Sequence, residues 1–195
     1  MDGMNIVERM LKRAFDIAAS FCGLVLLSPA FLYVYFRLKR QGDGPVIFRQ
    51  ERIGLGGRPF DILKFRTMRM DAEQDGVPQL AERADDRLTP VGKFLREHHL
   101  DELPQLWNVI TGDMSLVGPR PIVQAEVERY HENIREYYLV RPGITGMWQA
   151  SGRSDTTYEE RVAMDTWYVR NWSVWIDLVY LFKTFKAVFV GKGAY

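Results

Sequence analysis

The chain has 195 residues, 47% hydrophobic and 26% charged, with a net charge of +1, enough apolar material for one ordinary core and too little length for several large modules. The near balance hides an asymmetry: residues 1–69 hold 12 Lys and Arg against 6 Asp and Glu, and residues 70–195 hold 14 against 19. No helix-turn-helix, zinc-finger or RNA-recognition pattern accompanies the basic third, which leaves an anionic membrane surface rather than nucleic acid as its expected partner. The single Cys22 excludes a disulfide framework and a thiolate metal site, in keeping with a reducing, cytoplasm-facing domain.

Residues 17–36 form a run of 20 without a formal charge, about 30 Å as a helix and enough to cross a bilayer core. Arg9, Lys12 and Arg13 precede it and Arg37, Lys39 and Arg40 follow it, so positive charge marks both ends for the same side. Ser28-Pro29 stands near the middle, where proline removes a backbone hydrogen bond and disfavours helix at the preceding residue. A re-entrant helical hairpin over about 14–40, bent at Ser28 and Pro29, is the expectation, with the Ser28 hydroxyl as a donor to a freed carbonyl. A kinked spanning helix and a cleaved signal peptide ending at Ser28-Pro29-Ala30 are the alternatives.

Residues 46–53 and 60–68 read as two strands joined by the glycine-rich turn of residues 54–59. The glycines match neither a dinucleotide fingerprint nor a P-loop. Lys64 and Arg66 alternate with apolar neighbours and would share one strand face, either toward phosphates or toward solvent. Residues 70–87 are polar and mostly acidic and read as a mobile excursion. Thr89-Pro90 supplies an N-cap and a first-turn proline for the next helix.

That helix leads to Asp101-Glu102-Leu103-Pro104. Pro104 fits a first helical turn, which puts a helix start near Asp101 and both carboxylates at a positive dipole end. Taken alone, the pair reads equally as a charge-complemented helix start. Adjacent His98 and His99 diverge by about 100° on a helix and make a poor metal pair. A helix is expected over about 122–138, then a Pro- and Gly-containing loop at residues 141–146, then a helix over 156–168 capped by Asp155 or Thr156. The carboxyl-terminal third is rich in Trp, Tyr and Phe interrupted by Arg170, Lys183 and Lys186, the composition of an interfacial helix or of an amphipathic core helix.

Taken in order, Lys12-Arg13-Ala14-Phe15-Asp16, Ser28-Pro29, Lys64-Phe65-Arg66-Thr67-Met68, Leu100-Asp101-Glu102-Leu103-Pro104-Gln105, Gly118-Pro119-Arg120-Pro121 and Arg141-Pro142-Gly143-Ile144-Thr145-Gly146 resemble the small monotopic phosphoglycosyl transferases, also called bacterial sugar transferases. The resemblance covers nearly the whole chain as one catalytic domain, 1–195. The runs at residues 151–154, 168–173 and 191–195 resemble the branch that transfers hexose phosphates. It implies an α+β fold, mostly helical and monotopic, with a re-entrant amino-terminal helix hairpin, a small β-hairpin and interfacial amphipathic helices.

The activity implied is transfer of a hexose 1-phosphate from a UDP-hexose to undecaprenyl phosphate at the bacterial inner membrane, with the catalytic domain facing the cytoplasm. UMP would be released, and exopolysaccharide, O-antigen or capsule assembly begun. The resemblance assigns Asp101 as nucleophile, Glu102 as ligand of Mg²⁺, and Arg96 and Arg120 as phosphate contacts, with Lys64 and Arg141 as further nucleotide or phosphate contacts. Galactose and glucose are the leading sugars. A homodimer or other glycan-assembly enzymes stay open as partners. The rival readings are a membrane-tethered nucleotide-sugar hydrolase and an inactive membrane scaffold.

Overall fold

Asn5 starts the first element: its side chain accepts from the Glu8 N–H at 3.0 Å and Glu8 accepts from the Asn5 N–H at 2.8 Å, a capping box. It opens α1 (Ile6–Lys39), a 34-residue helix with Pro29 inside it, about 51 Å long if straight. The computed structural model describes residues 4–42, 44–69, 87–151 and 156–190. The chain stays helical through Ser28-Pro29, and no turn or loop separates the two halves. The proline's missing N–H leaves the Val25 carbonyl without its helical partner. Ser28 donates its hydroxyl to that carbonyl at 2.8 Å, as expected from the sequence.

Both halves of α1 dock on one body. In the first half, Lys12 pairs with Asp177 at 2.5 Å, Arg13 donates to the Val109 and Ile110 carbonyls, and Asp16 accepts from the Ser115 hydroxyl and the Leu116 N–H. In the second half, Val34 and Leu38 join Val46, Phe65 and Leu95 in a buried cluster, and the Phe31 ring lies 5.3 Å from that of Phe65. The helix is long and apolar enough to cross a membrane, and Phe21, Leu26, Leu32, Tyr33 and Phe36 are exposed along it.

Strands β1 (Ile47–Ile53) and β2 (Pro59–Phe65) form the expected antiparallel hairpin, with Ile47 opposite Phe65 and Ile53 opposite Pro59. The turn places Gly56 and Gly57 at φ 68° and 74°, where side chains are strained. The second strand ends three residues before the expected Met68. Beyond Phe65 the backbone is recruited by α2 (Pro90–Glu97): the Thr67 carbonyl accepts the Thr89 N–H, and Gly92 packs so closely on Thr67 that a Cβ would collide with it. Of the two cations expected on one strand face, Lys64 lies in β2 and reaches Glu102, while Arg66 lies beyond the strand's end and donates to the Leu38 carbonyl.

Helix α3 (Gln105–Thr111) follows, and then β3 (Ser115–Val117). The expected helix over 122–138 is replaced by short 3₁₀ segments at Gln124–Glu126 and Glu128–Asn133 and by α4 (Ile134–Tyr137). His131, at φ 48° and ψ −132°, breaks the helical path. The expected loop at 141–146 contains β4 (Gly143–Thr145), parallel to β3. After α5 (Met147–Ala150) comes α6 (Tyr158–Arg170), capped by Thr157, which exchanges bonds with Glu160 rather than leaving the cap to Asp155 or Thr156. The last helix is α7 (Val174–Val190), with Trp175 77% and Phe182 72% exposed. Helices mixed with two small sheets give the expected α+β class. The acidic stretch expected over 70–87 lies outside the described residues except for its last residue, as do residues 152–155 and 191–195.

Candidate active site

The expected helical start near Asp101 is present, but as a short 3₁₀ turn ahead of α3, with both carboxylates in that first turn. His99 takes a left-handed conformation, φ 55°, ending the path of α2 and starting a 3₁₀ turn at Leu100–Glu102. Pro104 is the N-cap of α3 rather than a residue of its first turn. His98 is held on α2, its Nδ1 2.9 Å from the Phe94 carbonyl and its ring against Phe94.

Asp101 is 8% exposed. Its carboxyl is pushed up to about 6, first by burial and then by the charge of Glu102, against the pull of Lys64 and Arg96. The Lys64 ammonium donates to Glu102 at 2.8 Å across the gap from β2. Asn108 fixes that strand, accepting the Leu63 N–H at 3.0 Å and donating to the Asp61 carbonyl at 2.8 Å. One α3 side chain thus sets the height of Lys64 against the dyad. Arg96, in the last turn of α2, donates its Nε to Thr67 at 3.0 Å.

Lys64, Glu102 and Arg120 line one cleft with Arg52, Gln105 and Gln149. Its enclosed part holds about 20 Å³, room for about one water, so a larger ligand lies across the mouth. Gln149 Oε1 is buried without a partner. Arg141 belongs elsewhere: it donates to the Gly112 carbonyl at 2.7 Å and is not among the cleft residues. Of the six residues singled out from the sequence for the site, three line the cleft, Asp101 adjoins it as the neighbour of Glu102, Arg96 acts on it through its charge on Asp101, and Arg141 donates to a neighbouring loop.

Arg120 rests on a buried ionic network that sequence reasoning missed. Asp165 accepts the Tyr130 hydroxyl at 2.7 Å and the backbone N–H of Arg120. Arg52 donates to the Pro121 carbonyl at 3.0 Å, so the Pro-Arg-Pro segment is held at both backbone ends. Arg161 bonds Glu126 at 3.0 Å and lies 3.9 Å from Asp165. The Trp148 ring takes Arg161 at 5.1 Å and Arg120 at 5.2 Å, a geometry for cation–π attraction. Burial raises the Asp165 carboxyl to about 6 while Arg161 and Tyr130 oppose the rise. The sequence signal was only Glu-Glu-Arg…Asp on a helix, with Arg161 and Asp165 four apart.

Two further glycines serve the site. Gly118 and Gly143 bring β3 and β4 into contact so close that a Cβ on either meets the other's backbone or that of Arg141. That contact anchors the base of the Arg120 loop. The cleft thus gathers one carboxylate, Glu102, and three cations, Arg52, Lys64 and Arg120, facing one opening, with the ionisation-resistant Asp101 next to Glu102 in the chain. Such a set accommodates a phosphate ester and a nucleophilic or metal-binding carboxylate. Among the described residues no cluster of three or more His, Cys, Asp and Glu exists to cage a metal. A cation such as Mg²⁺, which keeps waters and binds through one or two carboxylates plus substrate phosphates, fits Asp101 and Glu102 without one.

Comparison with known proteins bears on these groups. The family model described as bacterial sugar transferase matches residues 7–191. The undecaprenyl-phosphate galactose phosphotransferase of Salmonella typhimurium is 45% identical over 202 residues, 96% of this chain and 42% of that protein. The UDP-glucose:undecaprenyl-phosphate glucose-1-phosphate transferase of Escherichia coli is 46% identical, covering 97% of this chain and 42% of its own length. The exopolysaccharide production protein ExoY of Rhizobium meliloti is 44% identical, covering 95% and 88%. The chain spans about two-fifths of the length of the first two relatives and most of the third. With the family match running from the first turns of α1 past the end of α7, the chain belongs to the bacterial sugar transferases.

Proposed function

We propose that this chain transfers a hexose 1-phosphate from a UDP-hexose to undecaprenyl phosphate, releasing UMP and opening exopolysaccharide, O-antigen or capsule assembly. The observation that carries the reading is the buried Asp101 beside Glu102, with Lys64 and Arg96 acting on it and Arg120 lining the same cleft as Glu102. The relatives' names supply the substrates, with galactose and glucose both represented.

In the first step an Asp101 oxygen attacks the sugar-bearing phosphorus. The bond from that phosphorus to the bridging oxygen breaks, and UMP leaves with the electron pair. In the second step a phosphate oxygen of the lipid attacks the same phosphorus, the Asp101–phosphorus bond breaks, and the carboxylate is restored. Burial disfavours the charged carboxylate and so makes its consumption in the first step favourable. Arg120 and Lys64 offset the charge that spreads over the phosphoryl oxygens, and Arg96 keeps Asp101 ionised near neutral pH. Glu102 and Asp101 would hold Mg²⁺, which when bound neutralises phosphate charge.

The membrane reading is that α1 enters and leaves the same face of the bacterial inner membrane, with the cleft on the cytoplasmic side. Its support is that both halves of α1 pack on one body. The exposed apolar faces of α1 and α7 would meet lipid. The deciding experiment is UMP release from UDP-hexoses with Mg²⁺ in nanodiscs, with and without undecaprenyl phosphate. Lipid-dependent release that Asp101→Asn abolishes supports the transferase. Release at full rate without lipid supports the hydrolase instead.

A further inference from the structure

A second cavity, of about 450 Å³, lies where α1 ends, lined among others by Gln41, Arg66, Arg69, Thr89 and Pro90. Arg66 is 9% exposed. Its Nη2 donates to the Leu38 carbonyl at 3.3 Å, while its Nη1 is buried with no hydrogen-bond partner. An ionised donor left so carries its full desolvation cost, which an anion would relieve. None of the described residues lining the cavity is acidic. Thr89 and Pro90 are the N-cap and first residue of the eight-residue α2, so the positive end of a helix borders the same space. Arg69 stands exposed at the rim.

The position selects the kind of anion. The last turns of α1 expose Leu32, Tyr33 and Phe36 and carry Arg37 and Lys39, an apolar surface ending in cations, as at a membrane interface. We propose that the cavity binds the phosphate group of a membrane lipid, with Arg66 and Arg69 as its ligands and the acyl or prenyl chain along the end of α1. The bound phosphate would lie one residue along the chain from Thr67, whose hydroxyl accepts Arg96, and Arg96 acts on Asp101. A lipid held here would be linked to the dyad through Thr67 and Arg96 without occupying the donor's cleft. The identity of one candidate lipid, the polyprenyl phosphate, rests on the function proposed above; the existence of the site does not.

Native mass spectrometry of the full chain in detergent tests this with three probes: undecaprenyl phosphate, phosphatidylglycerol and inorganic phosphate. Arg69→Gln and Gln41→Glu change exposed rim residues that the fold does not need; Arg66→Gln is measured beside them. One lipid phosphate per chain is expected, with affinity about tenfold lower in each rim variant, the scale of one charge-assisted hydrogen bond. Preference for undecaprenyl phosphate identifies a monoester lipid, and equal retention of phosphatidylglycerol identifies a headgroup site; either supports the proposal if the rim variants weaken it. Lipid retention unchanged in both rim variants, or binding of inorganic phosphate alone, overturns it. Asp101→Asn should bind the lipid as the unaltered chain does; a failed transferase assay of the unaltered chain with intact lipid binding refutes the function and not the site.

Discussion

Replacing Asp101 by Asn should abolish turnover and stabilise the fold, and the two effects have one cause. The carboxyl is raised from 3.8 to about 6, mainly by burial and next by Glu102. A group whose folded value exceeds its unfolded value binds more protons when folded, so stability falls as pH rises from about 4 to about 6 and stays lower above that. The displacement corresponds to about 3 kcal/mol at pH 7. Asn matches the neutral carboxyl in size and removes that cost. For a chain of this length each kcal/mol moves Tm by about 2–4 °C, so Asp101→Asn should melt about 6–12 °C higher at neutral pH. The assay is thermal unfolding of both proteins in one detergent from pH 4 to pH 8, with UMP release measured in parallel. The gap should be nearly closed by pH 4, close to the unfolded value of 3.8, where the folded carboxyl is protonated and the unfolded one is partly so. A variant no more stable at pH 7, or a gap that ignores pH, would refute the reasoning.

Lys64→Met removes a cation that lowers the Asp101 carboxyl, so the acid limb of the pH–rate profile should move above 6; an unmoved limb counts against the electrostatic role of Lys64. Asp165→Ala strips acceptors from the Tyr130 hydroxyl and the Arg120 N–H, which should cost about 2–5 kcal/mol in denaturant unfolding and lower kcat more than the donor KM. Unchanged stability would sink the bracing role. Pro29→Leu restores an N–H to the Val25 carbonyl and should favour a straight spanning helix. Labelling of a cysteine placed at Gln41, in a Cys22→Ser background, should then shift to the opposite membrane face, and labelling that stays on the original face contradicts the bend.

The elements with strong local signals were legible. Thr89-Pro90, the glycine turn after β1 and the unbroken apolar run each carry a backbone reason in their own few residues, and Ser28 found the carbonyl that Pro29 frees. The dyad's chemistry was visible, but its local geometry was not, because the αL conformation of His99 has no sequence signal in a non-glycine residue. The segment at 122–138 misled for a similar reason: its apolar spacing suits a helix, while Tyr130 and Tyr137 are drawn into a tertiary network with Asp165, Ile122 and Ile53. Asp165, Arg52 and Trp148 were illegible because their partners lie tens of residues away. Arg141 read as a ligand from its loop, yet its partner is a carbonyl 29 residues back.

The seven residues of α3 link the membrane helix to the chemistry. At its carboxyl end Arg13 of α1 binds the Val109 and Ile110 carbonyls, where a cation also complements the helix dipole. At its amino end stands Pro104, two residues after Glu102. In between, Asn108 holds β2 and with it Lys64. Seven residues of helix span about 10 Å, so under the membrane placement proposed above the depth of α1 would fix the height of the dyad to within the play of these four polar contacts. Lys12 with Asp177 and Asp16 with Ser115 tie α7 and β3 to the same stretch of α1. A water-soluble donor and a lipid-borne acceptor that use one nucleophile in turn require a cleft held at a constant level above the bilayer. Loosening Arg13 should therefore impair reaction with the lipid acceptor more than formation of the intermediate.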